Sequence, residues 1–367
     1  MWLRNLLIVV LLLGVWAPGA RAEEILRPPV AAGAFYPDNA DELLRTVRGL
    51  FDQVSSAPRQ GRLVALVVPH SGYEYAGRVM AQAFKHLEPG QYRRVIILAP
   101  SHFQKFDGCS IPHASGFVTP LGVVPLDGEA INKLIFSPLI STRALRYERN
   151  DGSHMLHERE HDIEVLLPFL QERLGLFHLV PILVGNLLDT QGRFTEGAVE
   201  AVTDAIEQIM DEETLLIVST DFTHYGSDFS YRPFRENVLE QIQRLDETAM
   251  RLIVKRDFLG FQNFLEQTQS TICGATALHL MLKLLPPRTT GRVLDYDLSA
   301  RHTNNLSRSV SYAAISFHDT TQPRRPARPA HNPFAIPQAQ VPGHRPAARE
   351  AAPAPAADPA PETEREP

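Results

Sequence analysis

Leu63-Val64-Ala65-Leu66-Val67-Val68, followed at once by Pro69-His70-Ser71-Gly72-Tyr73, is the stretch on which the reading of this chain turns. Six consecutive apolar residues have the length of a strand buried on both faces, and the turn residues behind them close it. Gly77–Leu87 then reads as a helix, and Val95–Leu98 as a second buried strand. Leu179–Val184, Leu215–Val218 and Tyr312–Phe317 read as further strands. Between them, Ile163, Leu166, Leu167, Leu170 and Leu174 mark one face of a helix over Ile163–Leu174, and helices are expected near Phe194–Met210 and Phe234–Lys255. Strands alternating with helices predict an α/β fold: one domain with a central, largely parallel or mixed sheet flanked by helices on both faces.

The two ends differ from this body. Met1-Trp2-Leu3-Arg4-Asn5, an apolar run from Leu6 to Trp16 and Ala20-Arg21-Ala22 have the layout of a secretory signal peptide over residues 1–22. The run is too short for a membrane span, so the reading predicts export to the periplasm or beyond, with no stable span after cleavage. From Thr320 to Pro367 the chain holds 12 of its 29 prolines. With few large apolar residues, residues 320–367 are predicted to be a disordered tail, free to contact the cell envelope. Residues 23–319 remain as the folded unit. The net charge of −6 argues against a nucleic-acid partner, which calls for a basic surplus or stripe. Cys109 and Cys273 are the two cysteines; export would permit a disulfide between them, but a domain of this size does not require one.

Ligands in open α/β sheets gather beyond the carboxyl ends of the strands. Three predicted strands each deliver a histidine there: Pro69-His70-Ser71, Pro100-Ser101-His102, and Thr220-Asp221-Phe222-Thr223-His224. A lone histidine is usually structural or superficial, but three at equivalent positions on one edge point to a shared metal. Glu158-Arg159-Glu160-His161-Asp162-Ile163-Glu164 is dense in carboxylate and imidazole; it reads either as part of that site or as a solvated helix start capped by Asp162. Thr271-Ile272-Cys273-Gly274 also precedes a helix. Cys273 reads either as a small buried hydrophobe or as a thiolate ligand whose pKa the helix start lowers.

These same residues carry a family resemblance. Ala32-Gly33-Ala34-Phe35-Tyr36-Pro37, Pro69-His70-Ser71-Gly72-Tyr73 with Tyr75 and Gly77, Pro100-Ser101-His102 and Thr119-Pro120-Leu121-Gly122 resemble, in order, the Memo family. So do Glu160-His161 with Glu164, Pro181–Gly185, Asp221 with His224, Cys273-Gly274 and Ser311-Tyr312-Ala313-Ala314. Bacterial members are often named AmmeMemoRadiSam system protein B. The resemblance runs from about Arg27 to Phe317. It implies a fold shared with class III extradiol dioxygenases and a centre for one metal ion, iron or copper, with His70, His102 and Cys273 as ligands. It further implies Asp221 and His224 beside the metal, and Glu160 and His161 lining the same cleft. A cysteine stands where the dioxygenases place a carboxylate, so ring cleavage does not follow from the fold.

Three functions fit these residues. The first is a metal-dependent redox enzyme acting on oxygen or a small organic substrate, with His224 as acid/base oriented or charge-stabilised by Asp221. The second is a module that holds a metal or a peptide without turnover. The third is a zinc-dependent hydrolase. A serine hydrolase is disfavoured because no Gly-x-Ser-x-Gly elbow lies near these histidines.

Overall fold

The computed structural model describes residues 25–55, 61–142, 146–149, 152–189, 194–324 and 326. The expected signal peptide and, beyond residue 326, the expected tail lie outside the described residues. Nine strands among them build one sheet: β1 (Arg62–Val68), β2 (Arg94–Pro100), β3 (Cys109–Ser110), β4 (Ile140–Ser141), β5 (His178–Val184), β6 (Thr214–Ser219), β7 (His224–Gly226), β8 (Thr289–Leu298) and β9 (Arg308–Asp319). Their order is β7-β9-β1-β6-β2-β5-β3-β4, with β8 also paired to β9. The central four, β1-β6-β2-β5, run parallel. Strand β9 joins β1 antiparallel, and β7 and β8 join β9 antiparallel. The sheet is therefore mixed, with the parallel core that the apolar runs predict.

Alternation along the parallel strands decides the layering. Val95, Ile97 and Ala99 of β2 enter one core with Leu215 and Ile217 of β6, beneath helices α1 (Ala40–Asp52), α2 (Tyr73–Phe84) and α4 (Leu167–Leu174). Ile96 and Leu98 enter the opposite core with Leu216 and Val218, under α3 (Gly128–Leu134), α5 (Glu196–Glu207), α6 (Val238–Val254), α7 (Phe258–Thr268) and α8 (Ala275–Leu284). Each fully buried Leu, Ile or Val contributes roughly 1.5–3 kcal/mol. Two-sided burial therefore ties the strands together and fixes their register.

Helix α2 begins at Tyr73, ahead of the expected Gly77. Gly77 lies inside the helix because α1 crosses there: a Cβ at that position would come within 2.8 Å of Leu50. Helix α1 was not expected; Asn39 caps it, its side chain accepting the Glu42 N–H at 3.1 Å. The expected helix over Ile163–Leu174 starts as a 3-10 turn at Glu164–Leu166 and becomes α4 at Leu167. Asp162 does not cap it. The residue ahead of the turn is Ile163, with no side-chain cap, and Asp162 is fully buried. No helix among the described residues is long and apolar enough to cross a membrane.

Candidate metal centre

Strand β6 lies between β1 and β2, and all three end at the same edge. His70 stands two residues beyond β1, His102 two beyond β2, and Asp221 two beyond β6. The chain passes from β1 outward to β2 and β5 and then returns to place β6 between them, the kind of switch point where α/β sheets hold ligands. Cys273 arrives from the other side of the sheet, in the turn that opens α8. One ligand atom each from His70, His102 and Cys273 lies within 4.8 Å of the others, although the residues are far apart in sequence. Gly274 permits this approach. A Cβ there would meet the Thr220 side chain at 2.5 Å, so any larger residue would push the Cys273 turn off the end of β6.

Hydrogen bonds place a proton on Nδ1 of each ring. The Ser219 hydroxyl donates to the Asp162 carbonyl at 2.7 Å, so its oxygen is left to accept from His70 Nδ1 at 2.9 Å. The His70 proton therefore sits on Nδ1, and Nε2 faces the Cys273 sulfur at 3.4 Å. Similarly, His102 Nδ1 donates to Glu160 Oε2 at 2.9 Å, while the His102 backbone N–H donates to Oε1 at 2.7 Å. Both rings engage Nδ1 with a partner behind them and turn Nε2 toward the shared point, the arrangement of a metal-binding histidine held by an outer partner. The Cys273 sulfur accepts the Asp221 N–H at 3.2 Å. Two imidazole nitrogens and a sulfur make a donor set that fits iron, copper or zinc.

Electrostatics separate the groups. Burial pushes the His70 imidazole well below its ordinary pKa, helped by the neighbouring imidazoles. Burial pulls His102 the same way, but hydrogen bonds to Cys273 and Glu160 and the charges of Glu160 and Asp162 outweigh it and hold His102 well above the ordinary value. Burial raises the Cys273 thiol, against hydrogen bonds from His102 and Thr220. The expected lowering by the helix start is thus overturned in this protein: removal from water is the larger effect. Neither Cys273 nor Cys109 is in a disulfide.

The remaining expected residues gather around these three. The His161 ring stacks on His102 at 5.1 Å between centroids and meets Phe35 at 4.3 Å. His102, Glu160 and His161 form a second set of ligand atoms within 4.8 Å of one another. The Asp221 carboxylate accepts the His70 N–H at 2.9 Å and the Ser71 hydroxyl at 2.5 Å. His224 Nδ1 points instead at the carbonyls of Phe222 and Thr271, at 2.9 and 3.0 Å. The expected orientation of His224 by Asp221 is therefore corrected: two carbonyls orient the ring, and the Asp221 carboxylate serves His70 and Ser71 instead. Ser219, at the end of an apolar run, carries no sequence signal of a site role, and Asp162 belongs to the site rather than to a helix cap.

A family model described as "Memo-like protein" matches residues 27–316. The Caenorhabditis elegans protein named "Protein memo-1 homolog" is 32% identical over 300 residues, covering 77% of this chain and 80% of that one. The Homo sapiens protein named "Protein MEMO1" is 28% identical over 303 residues, covering 79% of this chain and 96% of that protein. Its Danio rerio namesake matches to the same extent.

Proposed function

The chain belongs to the Memo family, and on that footing we propose that it is an exported, metal-dependent redox protein acting on oxygen or a small organic substrate. The observation that carries this reading is the convergence of His70, His102 and Cys273 with both Nδ1 atoms already engaged, which leaves two nitrogens and one sulfur facing a common point. Iron or copper held there would supply electron transfer and a coordination position open to a small ligand. His70 and His102 would bind through Nε2, and Cys273 through sulfur. His224, its Nδ1–H given to two carbonyls, has Nε2 as the atom able to accept or return a proton. Asp221 ties the His70 backbone and Ser71 together beside His224. Glu160 and His161 complete the wall around His102. The leader-like residues 1–22 support export.

Metal analysis of protein purified from its native compartment tests the proposal. Stoichiometric iron or copper, lost in His70→Ala and His102→Ala, is the expected result. Stoichiometric zinc would turn the reading toward hydrolysis, and protein without metal toward a peptide-binding module.

A further inference from the structure

Arg27 is outside the metal centre, yet the segment that carries Glu160 and His161 is built around it. It is 3% exposed, in the short strand Leu26–Arg27. Its guanidinium donates to the His157 carbonyl at 2.8 Å, to the Glu160 carbonyl, and to the Glu164 carboxylate. The Phe117 ring lies 4.7 Å from the cation. Glu164, also buried, accepts the N–H groups of Val30 and Ala31 and the Tyr36 hydroxyl. Residues 157–164 are thereby wrapped round one planar fork of donors, a shape that arginine offers and lysine does not.

That wrapped segment reaches both imidazoles. Through its side chain, Glu160 accepts the His102 Nδ1–H; through its carbonyl, Asp162 accepts the Ser219 hydroxyl that in turn holds His70. We propose that Arg27 is the positioning residue of the centre: by fixing the backbone of residues 157–164 it sets the Nδ1–H bond and ring plane of His102 and His70 together for a divalent cation. The inference rests on the metal-binding reading above. It adds that the amino-terminal strand, remote in sequence from every ligand, controls metal affinity.

The test measures zinc affinity by competition with a chromophoric chelator, and the side-chain nitrogen shifts of His70 and His102 in metal-free protein by NMR. The double variant Arg27→Gln/Glu164→Gln removes both buried charges at once, so neither is left uncompensated. It is expected to bind zinc about 10–100-fold more weakly, the usual effect of losing an outer partner of a ligand, and to lose the hydrogen-bonded Nδ1–H signature at both rings. Arg27→Lys keeps a charge for Glu164 but cannot reach all three acceptors; its stability should recover more than its zinc affinity. Ser219→Ala should disturb His70 and leave His102 as it was. A folded double variant, or a folded Arg27→Lys, with wild-type zinc affinity and both signatures intact would overturn the proposal. If the wild-type protein bound no zinc while the double variant still lost both signatures, the positioning role would stand and the metal-binding reading would fall.

Discussion

His102 and His279 are both imidazoles enclosed by the fold, and their surroundings have opposite effects. His279, on α8, is fully buried among Phe194, Phe258 and Phe261, with ring centroids 4.0, 4.8 and 4.9 Å away. Its Nδ1–H donates to the Ala275 carbonyl one turn earlier at 3.0 Å, and its Nε2 has no hydrogen-bond partner among the described residues. Burial lowers its pKa to about 4, so it packs as a neutral aromatic ring. His102 meets a carboxylate at Nδ1 and a thiol beyond, and these hold its pKa up despite burial. The lesson is that enclosure alone does not make a histidine functional. What distinguishes the metal edge is a second metal-binding atom in front of each ring, where His279 Nε2 faces none.

The largest effect expected from this contrast is on metal binding. His70→Ala or His102→Ala should abolish it with the fold retained, because both residues lie on loops at the sheet edge; His279→Phe should leave it unchanged. Equilibrium dialysis with metal analysis and circular dichroism on the same samples checks both halves.

Next in size is the acid stability of the packing histidine. The folded-state pKa of His279 lies below the ordinary 6.5, so above pH 6.5 its contribution is fully present. As pH falls from 6.5 to about 4, the unfolded chain takes up a proton that the folded chain refuses, and stability drops. The shift corresponds to a loss of about 3 kcal/mol at the lower end. Urea unfolding across this range should show wild type losing that much relative to His279→Phe. Parallel curves would mean that the aromatic enclosure does not exclude the proton.

Glu160→Gln sharpens the other side of the comparison. An amide can turn its oxygen toward His102 Nδ1 but lacks the charge, so metal should bind about 10–100-fold more weakly, with stability changed far less. The smallest effect belongs to the carboxyl-terminal composition. Deleting residues 327–367 should alter unfolding free energy by less than about 1 kcal/mol, since few large apolar side chains are available there to dock. Chemical denaturation of the shortened chain checks it.

The sequence revealed those parts of the molecule that are written locally. Continuous apolar runs announced the parallel strands β1, β2, β5 and β6, because two-sided burial leaves no room for polar residues. Strand β8 went unread: Thr289–Leu298 mixes Thr, Gly, Arg, Asp and Tyr, as suits a strand whose middle is only half-buried. Helices α1 and α7 (Phe258–Thr268) were likewise missed. His70, His102 and Cys273 were legible because each sits in a distinctive peptide at an element end. Their supports were not. Ser219 lies 149 residues from His70, and Arg27 133 from Glu160, distances over which no sequence pattern signals a hydrogen bond. The Asp221–His224 pairing was plausible from proximity in the chain, but the carbonyls of Phe222 and Thr271 took the His224 proton instead.

That His70, His102 and Cys273 hold one metal ion between them is most directly tested by adding cobalt(II) to reduced, metal-free protein and following thiolate-to-metal charge-transfer absorption. One equivalent should saturate the band. It should persist in Cys109→Ser, whose thiol is buried on β3 with its pKa pushed up to about 12, and vanish in Cys273→Ser. A wild-type protein that develops no such band, or a Cys273→Ser variant that keeps it, would contradict the proposed centre.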